Sequence, residues 1–500
     1  MKELLTPLIQ FQRFFIPAML LLLVWASYRL AVKKDFAVGL ALYLSLVVIV
    51  DAYMNTALYL PGLEKGSIHY SEICALVLLA MRPKAAPRPP PYDAVLWLVR
   101  IYFLLMFLSV FRSADFMPAL MEYRTVMVPQ ILAFTIASRG LHSPEDLRRF
   151  LLWFTALVMV ICLFCFWDAI FDRWILKSEM LDKPIYYHTR KMKRFGSILL
   201  NPNYLGAFVT LVFPVLLAWS LGEREKRQRF LAWGCLLLLA FSLVETQSRG
   251  AMLGFAVGLV LLVLGPAGSI SRARRAGILF GALAVFLILM PGFATKALER
   301  FNQMETETME GRSRETTWQY AVQMIWDHPI GGIGFGEKQF YNTMVDMGFE
   351  QKYGVKALDA PHNSYLEIGV YTGVPGLLVF LAANLVLLWR AARVALRPEN
   401  PLGPMVFGFA VGIMAFLASV FPDLQLFTVN VAPVYWAFMM LLLWLVTQPA
   451  TAAEAAAGQG WRGAAGNGWR AAKGAAGEHG EADAPVPAPK PPGTRRWGRR

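Results

Sequence analysis

The residues best suited to chemistry in this 500-residue chain are histidines and arginines set beside long apolar runs. In "ALDAPHNSYLEIGVYTGVPGLL" (357–378), His362 follows Pro361 and stands with Asn363 where a charged, broken stretch gives way to an apolar segment. An imidazole titrating near neutrality can take a proton from a hydroxyl, and the preceding Asp359 is placed to orient it. A hydrogen-bonded structural histidine is the alternative. The stretch "DKPIYYHTRKMKRFG" (182–196) gathers Lys183, Arg190, Lys191, Lys193 and Arg194 with His188. Guanidinium offers paired donors that match phosphate oxygens, so lipid phosphates or a substrate diphosphate would each answer that charge.

Directly after it, in "RFGSILLNPNYLGAF" (194–208), Arg194 and Gly196 precede Asn201, Pro202 and Asn203. Such a break turns unpaired backbone groups toward a cavity; read structurally, it is a kink with capping side chains. "TQSRGAMLGF" (246–255) is a tight turn through Ser248, Arg249 and Gly250. An arginine so near hydrocarbon needs a partner, and Glu245 is the structural candidate beside a lipid phosphate or a substrate. The segment 294–362 contributes Arg312 and Arg314 in "EGRSRETTW" (310–318), then "DHPIGGIGFG" (327–336). Those glycines lack the Lys-Ser/Thr and preceding strand of a nucleotide loop, so Gly331, Gly332, Gly334 and Gly336 are expected to permit a chain reversal, with His328 as a helix-end residue. Glu305, Glu307 and Glu310 flank arginines and read as a solvated or salt-bridged face rather than a cation site.

The elements that must hold these groups are membrane helices. The chain is 57% hydrophobic and 16% charged, with a mean hydropathy of +0.47, and its apolar residues come in long blocks. That composition predicts an all-α polytopic membrane protein. Twelve or thirteen spans are expected, near 14–32, 36–59, 69–82, 94–111, 116–138, 150–172, 197–221, 230–246, 251–267, 276–293, 363–389, 402–421 and 427–447. Several fall short of the ~20 residues a straight crossing needs and would be re-entrant or embedded among neighbours. No fixed-period repeat is visible, and the N-terminus lacks a cleavage site, so its first apolar block reads as a retained span.

The formal charge of +14 would suggest nucleic acid in a soluble chain; here the basic residues lie between spans and set orientation, so no nucleic-acid partner is expected. "RPKAAPRPP" (82–90), "RGLHSPEDLRR" (139–149), "GEREKRQR" (222–229), "SRARR" (271–275) and "RAARVALR" (390–397) are assigned to the cytoplasmic side. That leaves 173–196, 246–250, 294–362 and 421–426 outside, and the basic 182–196 loop then breaks the positive-inside tendency and asks for an anionic partner. Within the long outer segment, "RSRETTWQYAVQMIWDHP" puts Trp318, Ala321, Val322, Ile325 and Trp326 on one helical face before Pro329, as in an amphipathic helix on the membrane or capping the bundle. Cys74, Cys162, Cys165 and Cys235 all fall in apolar blocks and read as small buried residues. Residues 1–447 thus form the membrane domain, with the motifs in 194–380, and 448–500 a disordered cytoplasmic tail.

The ordered set of Arg194 with Gly196, Pro202 and Asn203, then Ser248-Arg249-Gly250, then Arg312 or Arg314 with Trp318, then His328-Pro329 with Gly334 and Gly336, then His362-Asn363 with Tyr365 and Leu366, resembles the O-antigen ligase and polymerase superfamily. The resemblance implies a bacterial inner-membrane glycosyltransferase of the GT-C type, moving a glycan from undecaprenyl diphosphate to an acceptor hydroxyl at the periplasmic face. The acceptor would be a lipid A-core sugar for a ligase, a growing glycan for a polymerase, or a protein side chain for an O-oligosaccharyltransferase. It further implies that Arg194 and one long-loop arginine bind the diphosphate, with Arg249 kept beside them, that His362 activates the acceptor, and that Gly196, Pro202, Asn203, Asn363 and Tyr365 support the site. No metal or cofactor is implied. The chain departs from the family pattern at the loop arginine: Arg312 follows the glycine, whereas Arg314 has the four-residue spacing to the tryptophan, and Arg314 is preferred. The competing class is a transporter or flippase, for which Asp51, Glu122, Arg124 and Asp168 would be membrane-embedded ionisable residues. Concentration of Arg and His in outer loops favours the enzyme.

Overall fold

The computed structural model describes residues 25–29, 35–51, 58–59, 67–80, 93–141, 143–171, 194–223, 225–265, 277, 308–354, 356–397 and 400–448. Fourteen helices are numbered here: α1 Phe36–Ser45, α2 Tyr70–Ala80, α3 Ala94–Val110, α4 Phe116–Gly140, α5 Pro144–Phe171, α6 Pro202–Gly222, α7 Lys226–Thr246, α8 Arg249–Leu264, α9 Thr308–Asp327, α10 Glu337–Asp346, α11 Phe349–Tyr353, α12 Ser364–Ala395, α13 Gly403–Ser419 and α14 Ala432–Val446. Among the described residues α5, α6, α7 and α12 are long and apolar enough to cross a membrane, and six shorter apolar helices pack with them. The chain is an all-α polytopic membrane protein.

The expected spans 14–32 and 276–293 and the tail lie outside the described residues, apart from 25–29 and 277. One expected span is corrected. The block 36–59 does not cross as a single helix: α1 widens into a π-helical turn over Leu46–Asp51, and Leu58–Tyr59 pair antiparallel with Ser67–Ile68. The Pro61-Gly62 punctuation between the strands suits a turn rather than a helix.

The helices sort their termini into two ends. At one end Arg148 forks onto Glu223 at 2.9 and 3.0 Å, Arg149 pairs with Asp35, and Arg390 bonds Asp93 at 2.6 Å. The starts of α1, α3 and α5 thus meet the ends of α6 and α12, where the basic stretches 139–149, 222–229 and 390–397 lie. The other end gathers the outer motifs. Of the membrane-embedded ionisable residues considered for a transporter, Arg124 pairs with Glu72 at 2.7 Å, and the Glu122 carboxylate accepts the Glu337 amide at 2.8 Å. All four cysteines are buried.

Close approach of α8, α13 and α6 fixes the middle of the bundle. Gly250, Gly254 and Gly258 lie four residues apart on α8, and a side chain at any of them would meet Ser419, Pro422 or Ala415 around the end of α13. Gly412 of α13 faces the Leu211 carbonyl of α6 in the same way. Without a hydrophobic drive between helices in lipid, such small-residue stripes let backbones touch and gain dispersion contacts.

The outer segment is stitched into a break in α12. Gly373 has φ 72° and ψ −171°, a conformation only glycine adopts freely, and Pro375 follows it. The groups released there are taken by the 329–333 segment: Val374 N–H donates to the Pro329 carbonyl at 2.9 Å, and Ile333 N–H to the Val370 carbonyl at 2.9 Å. Gly334, at φ 109°, lies so close to Ser113 that a Cβ would come within 2.7 Å of its amide nitrogen. The turn between α3 and α4 closes over this segment, Arg112 donating to the Gly332 carbonyl and Ser113 to that of Phe335. The four glycines of 331–336 all have positive φ, as a chain reversal requires.

A matched pair of substitutions tests the small-residue contact. Gly254→Ala should lower the thermal unfolding midpoint by the equivalent of about 1–3 kcal/mol, because its Cβ has nowhere to go but the α13 backbone. Gly234→Ala on α7, with nothing within 4 Å, should be neutral or slightly stabilising. Equal midpoints for the two variants would contradict this packing.

Candidate active site

Three groups of residues meet on the loop that joins α13 to α14, residues 420–431. The first group begins at Arg194, whose relative exposure is 8%. Its Nε donates to the Thr246 carbonyl at 2.9 Å and its Nη2 to Asn203 Oδ1 at 2.6 Å, so neutral acceptors from two helices aim the guanidinium. The chain can place it there because Gly196 lets the single turn Ser197–Leu199 fold back on Asn201, whose backbone would lie 2.7 Å from a Cβ. Ser197 and Leu200 take left-handed backbone angles within that turn. Asn201 then caps α6 through the Asn203 amide at 2.8 Å, with Pro202 as the first helical residue, where its missing N–H costs nothing.

The second group is the turn from α7 to α8. Gln247 is left-handed, Ser248 caps α8 by accepting the Ala251 amide at 3.4 Å, and Arg249 is the first residue of the helix, half-buried. Gly250 beside it sits against the Ser419 carbonyl at 2.8 Å and the Pro422 ring at 2.9 Å, measured from a would-be Cβ. Phe195 N–H donates to the Glu245 carbonyl at 3.1 Å, which joins this turn to the first group.

The third group is His362. The residue has φ 50°, an uncommon angle for a side chain with a Cβ, imposed by its neighbours. Asn363 caps α12, its Oδ1 accepting the amides of Tyr365 and Leu366 at 3.0 and 3.1 Å. Ser364 donates both N–H and O–H to the Asp423 carbonyl, at 2.9 and 2.8 Å, and Tyr365 donates its hydroxyl to the Leu417 carbonyl at 2.7 Å. His362 Nδ1 is buried, has no hydrogen-bond partner, and lies 3.9 Å from Asp423 Oδ1. The ring is 27% exposed. With Nδ1 turned to the carboxylate, Nε2 is the nitrogen on the opposite edge.

The carboxylate beside the ring is therefore Asp423 and not the expected Asp359. Sequence reasoning missed it because it is 61 positions away; the available signal was its place in "FPDLQL", already assigned to the outer face. Gln425 of the same loop reaches the Asn203 carbonyl at 3.5 Å, and its Oε1 is buried without a partner. One loop thus touches the helix cap that holds Arg194, the turn that carries Arg249, and His362.

Helix α9 carries Arg312 and Arg314, whose backbone alone is described. Trp318 pins the helix to the site by donating Nε1 to the Pro361 carbonyl at 2.7 Å and setting its ring 5.7 Å from that of Phe421. Position 314 is one turn before Trp318 and shares its face, whereas position 312 lies ~120° round the helix. The apolar residues expected on α9 divide between the bundle and the exposed surface. Ala321 and Met324 are buried, with Ile325 against Gly369, but Val322 is 41% and Trp326 75% exposed. His328 is an exposed residue following the helix end.

Glu337, at the start of α10, adds charge to the same region. Partial burial raises its pKa first and the neighbouring Asp359 raises it further, while His362 opposes the shift. Among the described residues no group of three or more His, Cys, Asp or Glu is arranged to hold a metal ion.

Trp318→Leu should free α9 from the His362 turn. Hydrogen exchange of amides 315–325 should accelerate about tenfold or more, since a half-buried indole bond and its ring contact are lost, with amides of α6 unaffected. Unchanged protection in α9 would show that the indole does not anchor it.

No curated protein matches the chain. Residues 234–381, less than half of it, match the family model described as O-antigen ligase. The match runs from α7 to the middle of α12 and takes in Arg249, Arg312, Arg314 and His362, while Arg194 and Asp423 lie outside it. Over that stretch the chain is similar to the O-antigen ligase family, and the matched helices belong to a bundle that presents Arg249 and His362 at one end.

Proposed function

We propose that the protein transfers a glycan from undecaprenyl diphosphate to an acceptor hydroxyl, at the periplasmic face of a bacterial inner membrane, as a metal-independent and inverting enzyme of the GT-C type. The observation that carries this reading is the meeting of the Arg194, Arg249 and His362 groups on the 420–431 loop. The match of residues 234–381 to the O-antigen ligase family supports glycan transfer in general; the donor, the acceptor and the residue roles are part of the proposal.

A glycosyl diphosphate is an activated donor. The protein must neutralise the charge that builds on the leaving phosphate and hold the attacking oxygen in line. Arg194 is preorganised for the first task by its bonds to Thr246 and Asn203, which hold the fork so that little reorganisation accompanies phosphate binding. Arg249 and Arg314 complete the cationic set, Arg314 being favoured over Arg312 by its shared face with Trp318. Their charges take the place of a divalent cation at the diphosphate.

His362 Nε2 accepts the proton of the acceptor hydroxyl as that oxygen attacks the anomeric carbon. The bond from that carbon to the diphosphate oxygen breaks, and the electron pair leaves on undecaprenyl diphosphate. Attack opposite the leaving group inverts the anomeric configuration. Asp423 stands 3.9 Å from Nδ1, where its charge stabilises the imidazolium that forms, as the carboxylate behind other catalytic histidines does. A lipid A-core sugar is the acceptor of the ligase reading; a growing glycan or a protein hydroxyl would use the same donor half of the site.

A reconstituted assay with a lipid-diphosphate glycan, several acceptors and a chelator tests the proposal. His362→Ala and Arg194→Ala should each lower transfer by about 10²-fold or more while the protein still inserts, and Asp423→Asn by about tenfold or more with a displaced pH profile. Full activity in both alanine variants would remove the site assignment, and a product of retained configuration would contradict direct displacement.

A further inference from the structure

The end of the bundle away from His362 holds a cleft of about 470 Å³ that glycan transfer does not use. Its walls include Trp25, Arg29, Val38, Ala41, Leu42 and Trp153. It lies between the 25–29 segment, α1 and α5, and its depth is fixed by two contacts. Asp35 caps α1 through the Val38 amide and pairs with Arg149, and Trp153 is one turn further along α5. The cleft therefore starts within a turn or two of the end where the basic stretches gather. Trp25 is 58% and Trp153 56% exposed, as indoles at a membrane boundary are.

We propose that this cleft binds an anionic glycerophospholipid, with an acyl chain laid along Val38, Ala41 and Leu42 between the two indoles and the phosphate on the Arg29 guanidinium. Arg29 is held at the cleft by its position 5.7 Å from the Trp25 ring. Among the described residues it makes no ion pair. Ser45, the other polar wall residue, already donates its hydroxyl to the Ala41 carbonyl at 2.8 Å. The site thus offers one apolar trough and one cationic lip. That pairing recognises an anion with a hydrocarbon tail rather than a free phosphate or a neutral chain. The polyprenyl donor is served at the opposite end of the bundle, beside Arg194, so the occupant here is a bulk lipid of the facing leaflet.

Native mass spectrometry of the full chain released from nanodiscs of mixed phosphatidylglycerol and phosphatidylethanolamine tests this without any assay of glycan transfer, so it stands or falls apart from the catalytic reading. Wild type should retain phosphatidylglycerol preferentially. Arg29→Gln should cut that retention about fivefold, and Ala41→Phe, which fills the trough, should abolish it. A second readout leaves the cleft shape nearly intact: phosphatidylglycerol brominated on its acyl chain should quench wild-type indole fluorescence more than that of Trp25→Phe with Trp153→Phe. Equal retention of both headgroups by wild type, unchanged retention in Arg29→Gln, or quenching unaffected by loss of the two indoles would overturn the proposal.

Discussion

A single carbonyl, that of Asp423, ties the outer end of the molecule together. It accepts both the amide and the hydroxyl of Ser364, and these two bonds join the first turn of α12 to the loop between α13 and α14. Each is worth about 0.5–1.5 kcal/mol net, but their geometric effect is larger than their energy. Holding Asp423 by its backbone fixes where its carboxylate stands, 3.9 Å from His362 Nδ1, and holding Ser364 fixes the left-handed turn that presents His362. On the far side of the same loop, Pro422 lies against Gly250 and Gln425 against the Asn203 carbonyl. Tyr365, which donates its hydroxyl to the Leu417 carbonyl, adds a second tie between α12 and the end of α13.

The loop can act this way because the helices beneath it are packed backbone to backbone. The glycine stripe of α8 against α13, and Gly412 of α13 against α6, leave no side-chain layer to yield when a terminus is displaced. The outer segment is built on the opposite principle. It enters α12 at the Gly373 break and borrows its hydrogen bonds there, so that α9 and α10 are attached to a helix of the bundle through the helix's own unpaired backbone groups. Irregular backbone at that depth is affordable only because protein surrounds it on both sides, α12 below and the α3 to α4 turn above.

Local chemistry made much of this legible in the sequence. Asn201-Pro202 at the head of an apolar run is a cap signal whose mechanism needs only neighbouring residues, and Asn201 caps α6 as that signal requires. The positive-φ glycines of 331–336 follow from the same kind of reasoning. Long-range partners were not legible. Nothing within ten residues of His362 points to Asp423, and the Asp359 alternative came from proximity in sequence alone. The apolar residues of α9 divide between two surfaces: Thr317, Ala321 and Met324 are buried and Ile325 lies against Gly369 of α12, while Val322 and Trp326 are exposed, a division that spacing alone does not set. The short strand pair after α1 was hidden inside an apolar block whose hydropathy alone resembled a span.

At one end of the bundle Arg148 pairs with Glu223 and fastens α5 to the end of α6. At the other end Arg194 donates to the Thr246 carbonyl and to Asn203, on the loop side where a buried imidazole nitrogen of His362 has no hydrogen-bond partner. The central claim is that this second set is one site for a lipid diphosphate. The most direct test is an experimental structure of the protein in a membrane mimetic with an undecaprenyl-diphosphate glycan bound. The account predicts phosphate oxygens within hydrogen-bond distance of Arg194 and Arg249, with the anomeric carbon facing the Nε2 edge of His362. A diphosphate seated elsewhere on the bundle, with that imidazole turned away from the sugar, would contradict it.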